Sequence, residues 1–227
     1  MNKNLIEIKK LNKQFKNNNS TIKVLKNINL KLERGKLIAL TGPSGSGKST
    51  FLHLLALLDR PTKGEIILLG KKTENISEEE KNLMIRNNIS IIFQNNNLLS
   101  DFTSLENVAI PLIIRGNDYK FSIKKAAKIL SGVNLGHRLD HFPSDLSGGE
   151  QQRVAIARSI ASDTSIILAD EPTGNLDEKT SEEVFSYFLK LKQKNKTILI
   201  ATHNRELARK ADYTLRLSDG DIKRANV

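Results

Sequence analysis

The sequence predicts an α/β protein with a parallel β-sheet core, an antiparallel β part at the N-terminus and an inserted α-helical subdomain. Three observations predict it. Short, near-continuous apolar runs bounded by glycine or polar residues, such as residues 36–41 (KLIALT), read as strands buried on both faces. These runs alternate with stretches of helical composition, the mark of strand–helix units on a parallel sheet. From residue 95 to residue 161 the strand signal gives way to helical patterning.

In chain order, residues 5–8 and 24–32 read as strands, with Ile28, Leu30 and Leu32 alternating with polar residues. Residues 36–41 form the first core strand, and residues 49–58 have helical composition. Residues 64–69 and 89–93 are further strands. Within the helical middle, residues 123–130 are the clearest segment. Strands at 166–169, 197–201 and 213–217 then alternate with helices at 181–192 and 205–211. The 227 residues suit one domain. Residues 1–94 and 162–227 are expected to form the core with its antiparallel part, and residues 95–161 the helical subdomain.

Composition narrows the function classes. There is no cysteine, so disulfides and thiolate metal sites are excluded. The first ten residues are rich in lysine and asparagine and lack the apolar run of a signal peptide. No apolar stretch approaches the roughly 18–20 residues that cross a bilayer; residues 108–114 are far too few. A cytoplasmic protein is expected. The net charge of +11 is scattered along the whole chain, which favours solubility or an anionic membrane surface over a dedicated nucleic-acid patch.

The strongest motif follows the first core strand. Gly42-Pro43-Ser44-Gly45-Ser46-Gly47-Lys48-Ser49, then Thr50, satisfies G-x-x-x-x-G-K-[ST]. Glycines let backbone N–H groups approach phosphates, and the following helix aims its positive end at them. Lys48 is placed to reach the β- and γ-phosphates of ATP, and the Ser49 hydroxyl to ligate Mg²⁺. The fold thereby narrows to a P-loop NTPase with a RecA-like core. A second site is an apolar strand ending in two acids, Asp170 and Glu171. Burial of the strand puts Asp170 at its carboxyl edge, where ligands sit in α/β sheets. Asp170 then serves Mg²⁺, and Glu171 polarises the attacking water. An acidic pair after a strand is also an ordinary solvated turn; the glycine loop decides between the readings.

Leu146-Ser147-Gly148-Gly149-Glu150-Gln151-Gln152-Arg153-Val154 opens a helix running to Ala161. A hydroxyl at an exposed helix N-terminus is an anion site. Locally, a capping box formed by Ser147 and Glu150 explains the same residues. Together with the glycine loop and the acidic pair, this stretch resembles the signature motif of ABC transporter nucleotide-binding subunits, and the resemblance covers nearly the whole chain. Glu150 stands where many members have glutamine. The resemblance implies that Ser147, Gly148, Gly149 and Glu150 contact the γ-phosphate held by another copy. It follows that two ATP molecules are sandwiched in a head-to-tail dimer that works with integral membrane subunits, at the cytoplasmic face of the inner membrane.

It also implies roles for residues that are weak signals alone. Gln94, ending the strand at 89–93, matches the glutamine that touches Mg²⁺ and water; by itself it is a polar loop residue. His203, after the strand at 197–201, matches the histidine on the γ-phosphate, although a lone histidine at a strand end is commonly structural. Gly174-Asn175-Leu176-Asp177 resembles the loop through which Asp177 communicates between the two sites. Phe15 stands where an aromatic stacks on adenine, and a core position explains it equally.

Residues 98–112 (LLSDFTSLENVAIPL) and 136–145 (GHRLDHFPSD) are similar to the lipoprotein-releasing branch of the family. The macrolide or peptide efflux and cell-division branches share much of both. The chain's end at Val227 favours a stand-alone subunit over a fused one. The membrane partner is expected around residues 95–106, where Leu98, Leu99 and Phe102 are otherwise core. A chromosome-maintenance ATPase needs long heptad coiled coils between the glycine loop and the signature; only about 100 residues separate Ser49 from Ser147, without sustained heptads. P-loop kinases and GTPases lack the block at 146–154.

Overall fold

The structure, a computed structural model, describes residues 4–17, 20–174 and 176–225. Asn175, read above as part of the 174–177 loop, lies outside them, as do Met1 and Val227. Strands β1 (Asn4–Asn17), β2 (Ser20–Glu33) and β3 (Leu37–Thr41) lead into helix α1 (Lys48–Leu55). Next come β4 (Lys63–Leu68), β5 (Lys71–Lys72), α2 (Glu78–Asn88) and β6 (Ile89–Ile92). The helical segment comprises α3 (Ser104–Ile114), α4 (Tyr119–Gly132) and α5 (Gly148–Ala161). The chain finishes with β7 (Ile166–Asp170), α6 (Glu178–Gln193), β8 (Thr197–Ala201), α7 (Arg205–Arg209), β9 (Tyr213–Ser218) and β10 (Asp221–Ala225).

Two sheets result. An antiparallel sheet has the order β2-β1-β4-β5, and a second sheet has the order β10-β9-β3-β8-β7-β6. The second is parallel except for β10. Its side chains divide by the period-two alternation of strands. Ile38, Leu40, Ile166, Leu168, Leu199 and Ala201 join one core with α1 and the antiparallel sheet. Leu37, Ile167, Ala169, Ile198 and Ile200 join the other, with α3 to α6. A buried strand with both faces covered reads as an unbroken apolar run, which is why residues 166–169 and 197–201 are legible in the sequence.

The structure departs from the sequence reading in several places. Helix α2 was not expected: its exposed, acidic sequence has no buried residue and therefore no apolar stripe. The signal it does carry is the capping box of Ser77 and Glu80. The two-residue strand β5 and the mostly exposed strand β10 were likewise not expected. The 95–161 stretch is not uniformly helical, because loops occupy 93–103 and much of 133–147.

Candidate nucleotide site

Sheet order assembles the site. Adjacent strands β3, β8, β7 and β6 end at one edge, with Leu40 level with Ala201, Asp170 level with Ala201, and Ile92 level with Ala169. Past those ends the chain places the glycine loop, His203, Glu171 and Gln94 side by side. A cavity of about 410 Å³ is lined by Ser44, Gly45, Gly47, Lys48, Ser49, Thr50, Gln94, Asp170, Glu171 and His203, with Val24 of β2 as an apolar wall. Gly42 and Pro43 line a neighbouring depression that also reaches His203.

The glycine loop is shaped for a ligand with many acceptors. Gly47 has φ of 104°, and a Cβ there would lie 2.5 Å from Val24 Cγ1. At Gly42 a Cβ would lie 2.3 Å from the Leu217 carbonyl oxygen. Only glycine fits either position. Lys48 Nζ donates to the carbonyls of Gly42 at 3.0 Å and Pro43 at 3.2 Å. Ser46 Oγ is buried without a partner among the described residues. These features fit a polyphosphate: a cation held by weak neutral acceptors, a buried hydroxyl, and an open helix N-terminus.

Glu171 has a left-handed backbone, φ 45°, unusual for a residue with a side chain. Its N–H donates to the Ala201 carbonyl at 2.9 Å. Its Oε2 lies 2.9 Å from His203 Nδ1 and accepts from the His203 backbone N–H at 3.3 Å. The side chain of Glu171 is mostly covered, whereas that of His203 is largely exposed. The carboxylate is thus fixed, and the imidazole can reach a ligand. Asp170 is nine-tenths buried at the same edge. Among the described residues no cluster of three or more His, Cys, Asp or Glu could hold a metal by itself. Ser49, Gln94 and Asp170 line the cavity together, a set of oxygen donors that fits Mg²⁺, which keeps waters and takes one or two protein ligands plus substrate phosphates.

Ser147, Gly149, Glu150 and Asp177 do not line this cavity. Ser147 caps α5: its hydroxyl accepts from the Glu150 N–H at 3.3 Å, and its own N–H donates to Glu150 Oε2 at 2.8 Å. The other oxygen, Oε1, accepts from Arg138 Nε at 2.9 Å. The Ser147 backbone N–H holds the Glu150 carboxyl below the usual carboxylate range, with the Ser147 hydroxyl and Arg138 adding to it. The local capping reading is therefore realised, and it leaves the remaining N-terminal N–H groups of α5 available. Asp177 caps α6, accepting from Thr180 N at 3.0 Å and Thr180 Oγ1 at 2.6 Å; the Thr180 hydroxyl is the main cause of its lowered pKa. Phe15 is 45 % exposed, so the core explanation falls; Lys13 Nζ lies 4.9 Å from its ring centroid. The ring is outside the phosphate cavity.

Two supporting side chains escaped the sequence reading. Arg158 of α5, largely buried, donates to the carbonyls of Asn96 and Asn97, both at 2.8 Å. Both asparagines are left-handed, with φ of 57° and 45°. Asn107, fully buried in α3, accepts from Leu99 N and donates to the carbonyls of Leu99, Phe102 and Thr103. In the sequence, an arginine and an asparagine inside helices read as solvent-facing. Only the loops folded over them reveal their roles.

The sequence profile described as ABC transporter matches residues 25–174, which span the glycine loop, Gln94, the signature and the acidic pair. The chain belongs to the ABC transporter family. This ABC ATPase is 49 % identical over 221 residues to a lipoprotein-releasing system ATP-binding protein, LolD, of Rickettsia typhi, covering 97 % of this chain and 98 % of the relative. Two solved structures superpose on it with a TM-score of 0.91. One is the dimeric structure of MJ0796, a bacterial ABC transporter cassette, at 39 % identity with 96 % of this chain and 97 % of that chain covered. The other is a dimeric post-hydrolysis state of the same cassette bound to ADP and Pi, at 37 % identity with 98 % and 99 % covered. The ABC ATPase therefore binds nucleotide in the cassette fold that the sequence predicts.

Proposed function

We propose that this ATPase subunit powers the release of lipoproteins from the inner membrane, by ATP-driven closure of a head-to-tail dimer at the cytoplasmic face. The observation that carries the chemistry is the single cavity joining the glycine loop to Asp170, Glu171, Gln94 and His203. The substrate assignment rests on the near-full-length identity to lipoprotein-releasing ATPases. Macrolide or peptide efflux and cell-division complexes are the alternatives.

The residues divide the work. N–H groups of residues 44–50 and Lys48 bind and orient the phosphates of ATP. Ser49, Gln94 and Asp170 are the residues that would hold Mg²⁺, which supplies charge neutralisation on the phosphates when bound. Glu171 accepts a hydrogen bond from the attacking water and orients it, and His203 keeps the carboxylate in place and faces the γ-phosphate. Phe15 supplies an exposed π face for adenine. Ser147, Gly148, Gly149 and Glu150 present an α5 N-terminus to the ATP of the second copy, and Asp177 carries the contact between the sites. Their position outside the chain's own phosphate cavity supports that division between copies.

Membrane attachment is through partners; no helix among the described residues is long and apolar enough to cross a bilayer. Leu99 is 45 % and Phe102 40 % exposed on the loop after Gln94, where the membrane subunits are expected to dock. Leu98 packs on the core instead. Glu171→Gln should retain ATP binding, accumulate as a dimer with ATP on size-exclusion chromatography and release no phosphate. Unchanged turnover would refute the role of Glu171. Co-purification with a pair of membrane subunits whose depletion leaves lipoproteins in the inner membrane tests the substrate; capture of a cell-division membrane protein alone would overturn it.

A further inference from the structure

Twelve large apolar or aromatic side chains are exposed among the described residues, and four of them, Ile113, Ile114, Tyr119 and Phe121, fall within nine consecutive positions. They stand at the turn joining α3 to α4, where Gly116 N donates to the Ile113 carbonyl at 2.8 Å and Asn117 N to the Leu112 carbonyl at 3.2 Å. Ile114 and Tyr119 are each 60 % exposed. Exposed apolar residues scattered singly are ordinary, whereas a cluster at one tip marks a contact surface. Behind the tip, α4 divides into two faces. Ser122, Ala126 and Leu130 are buried at intervals of four, and Lys120, Lys124 and Lys128 recur at the same interval on the exposed side. None of these three lysines has an ion-pair partner among the described residues. Lys125 Nζ lies 5.8 Å from the Phe121 ring centroid. Over residues 113–128 four lysines and Arg115 stand against a single acid, Asp118, whose carboxylate caps α4 by accepting from the Phe121 N–H at 3.1 Å.

We propose that the α3–α4 tip rests on the anionic headgroup layer of the membrane, with Ile114, Tyr119 and Phe121 entering the boundary and Lys120, Lys124 and Lys128 on the headgroup phosphates. Such a layer takes ammonium groups at its surface and admits aromatic rings and branched aliphatic chains just below it. The inference rests on the membrane-face location proposed above and adds a direct lipid contact to attachment through subunits. Leu99 and Phe102 precede α3 and the tip follows it, so 11 residues, about 16 Å of helix, lie between the two surfaces. One helix then carries the protein contact at its start and the lipid contact at its end. Each lysine near an anionic surface raises affinity about fivefold, so the tip by itself gives reversible binding.

The test uses the isolated full chain and sedimentation with large vesicles, made of phosphatidylcholine alone or with phosphatidylglycerol added. Expected is binding to the anionic vesicles only, weakened by salt. Lys120→Ala, Lys124→Ala and Lys128→Ala combined should lower that affinity by about a hundredfold. The same change at Lys9, Lys31 and Lys71, exposed elsewhere, should lower it only slightly. Tyr119→Ser with Phe121→Ser should lower it several-fold at constant charge. Nucleotide affinity, basal turnover and thermal stability should stay at wild-type values throughout, because none of these residues lines the phosphate cavity. Equal losses in the two lysine triples mark diffuse charge and overturn the proposal. Absent binding by the unaltered chain, or wild-type binding by either tip variant, overturns it too; if that variant also loses co-purification with membrane subunits, the tip docks protein instead. The vesicle assay contains no membrane subunit, so its failure leaves the lipoprotein-release reading standing, and capture of a cell-division membrane protein would leave the vesicle result standing.

Discussion

Lys48 illustrates how far one residue carries the affinity. The residue is nine-tenths buried and, among the described residues, its ammonium is held by two loop carbonyls alone, so it waits for stronger acceptors. Lys48→Ala removes charge-assisted bonds worth about 1.5–3 kcal/mol and should weaken ATP binding by about 10- to 100-fold in calorimetric titration. Wild-type affinity would count against the cradle. Glu150 makes a prediction in pH. Its carboxyl is lowered by the Ser147 N–H, so the folded state holds the ion more tightly than the unfolded chain does. The stabilisation is fully present above the ordinary carboxylate pKa and disappears as pH falls through the lowered folded value. Glu150→Gln should therefore flatten the acid limb of the thermal midpoint against pH relative to the unaltered protein, and an identical limb would show that the contact adds nothing.

At the scale of elements, helix α3 does more than fill the second core. Through Asn107 it ties down the preceding loop, satisfying four backbone groups of Leu99, Phe102 and Thr103 from one side chain. Asn107→Leu takes the partner from the Leu99 N–H and the Phe102 carbonyl, while the Leu99 and Thr103 carbonyls keep backbone donors, and should cost about 1–3 kcal/mol in denaturant unfolding. Faster proteolysis between residues 98 and 104 should accompany it, and an unchanged cleavage pattern would dismiss the tie. Helix α5 has a comparable double duty. Its N-terminus is capped by Ser147 and Glu150, while near its far end Arg158 holds the loop that leads from Gln94 toward the exposed Leu99 and Phe102. One helix thus links the signature, the loop beside Glu171, and the surface proposed for the membrane partner.

For the whole molecule, the expectation concerns separability of chemistry from docking. Leu99 and Phe102 are exposed and absent from the phosphate cavity. Leu99→Asp combined with Phe102→Asp should abolish co-purification with membrane subunits and leave nucleotide affinity and basal turnover of the isolated chain intact. Retained co-purification would move the docking surface elsewhere. Outside α4 the positive charge has no such local reading: it lies all along the chain, in keeping with its expected part in solubility or proximity to anionic lipid.

The primary structure by itself determined the glycine loop, the acidic pair, the signature and the buried strands. Each of these is a local demand: glycine where a Cβ would collide, apolar runs where both faces of a strand are covered, a hydroxyl and an acid at a helix start. The sequence reading missed α2, because an exposed helix has no apolar stripe, and could not tell whether Phe15 and Leu99 were core. Only the tertiary structure decided what meets what. The order β3-β8-β7-β6 brings residues 42–50, 203, 170–171 and 94 to one edge although more than 150 positions separate residue 42 from residue 203. The same packing turns Arg158, Asn107 and Gln152 inward. Side-chain burial and cross-strand neighbours depend on contacts between distant segments, and no periodicity along a single stretch of chain encodes them.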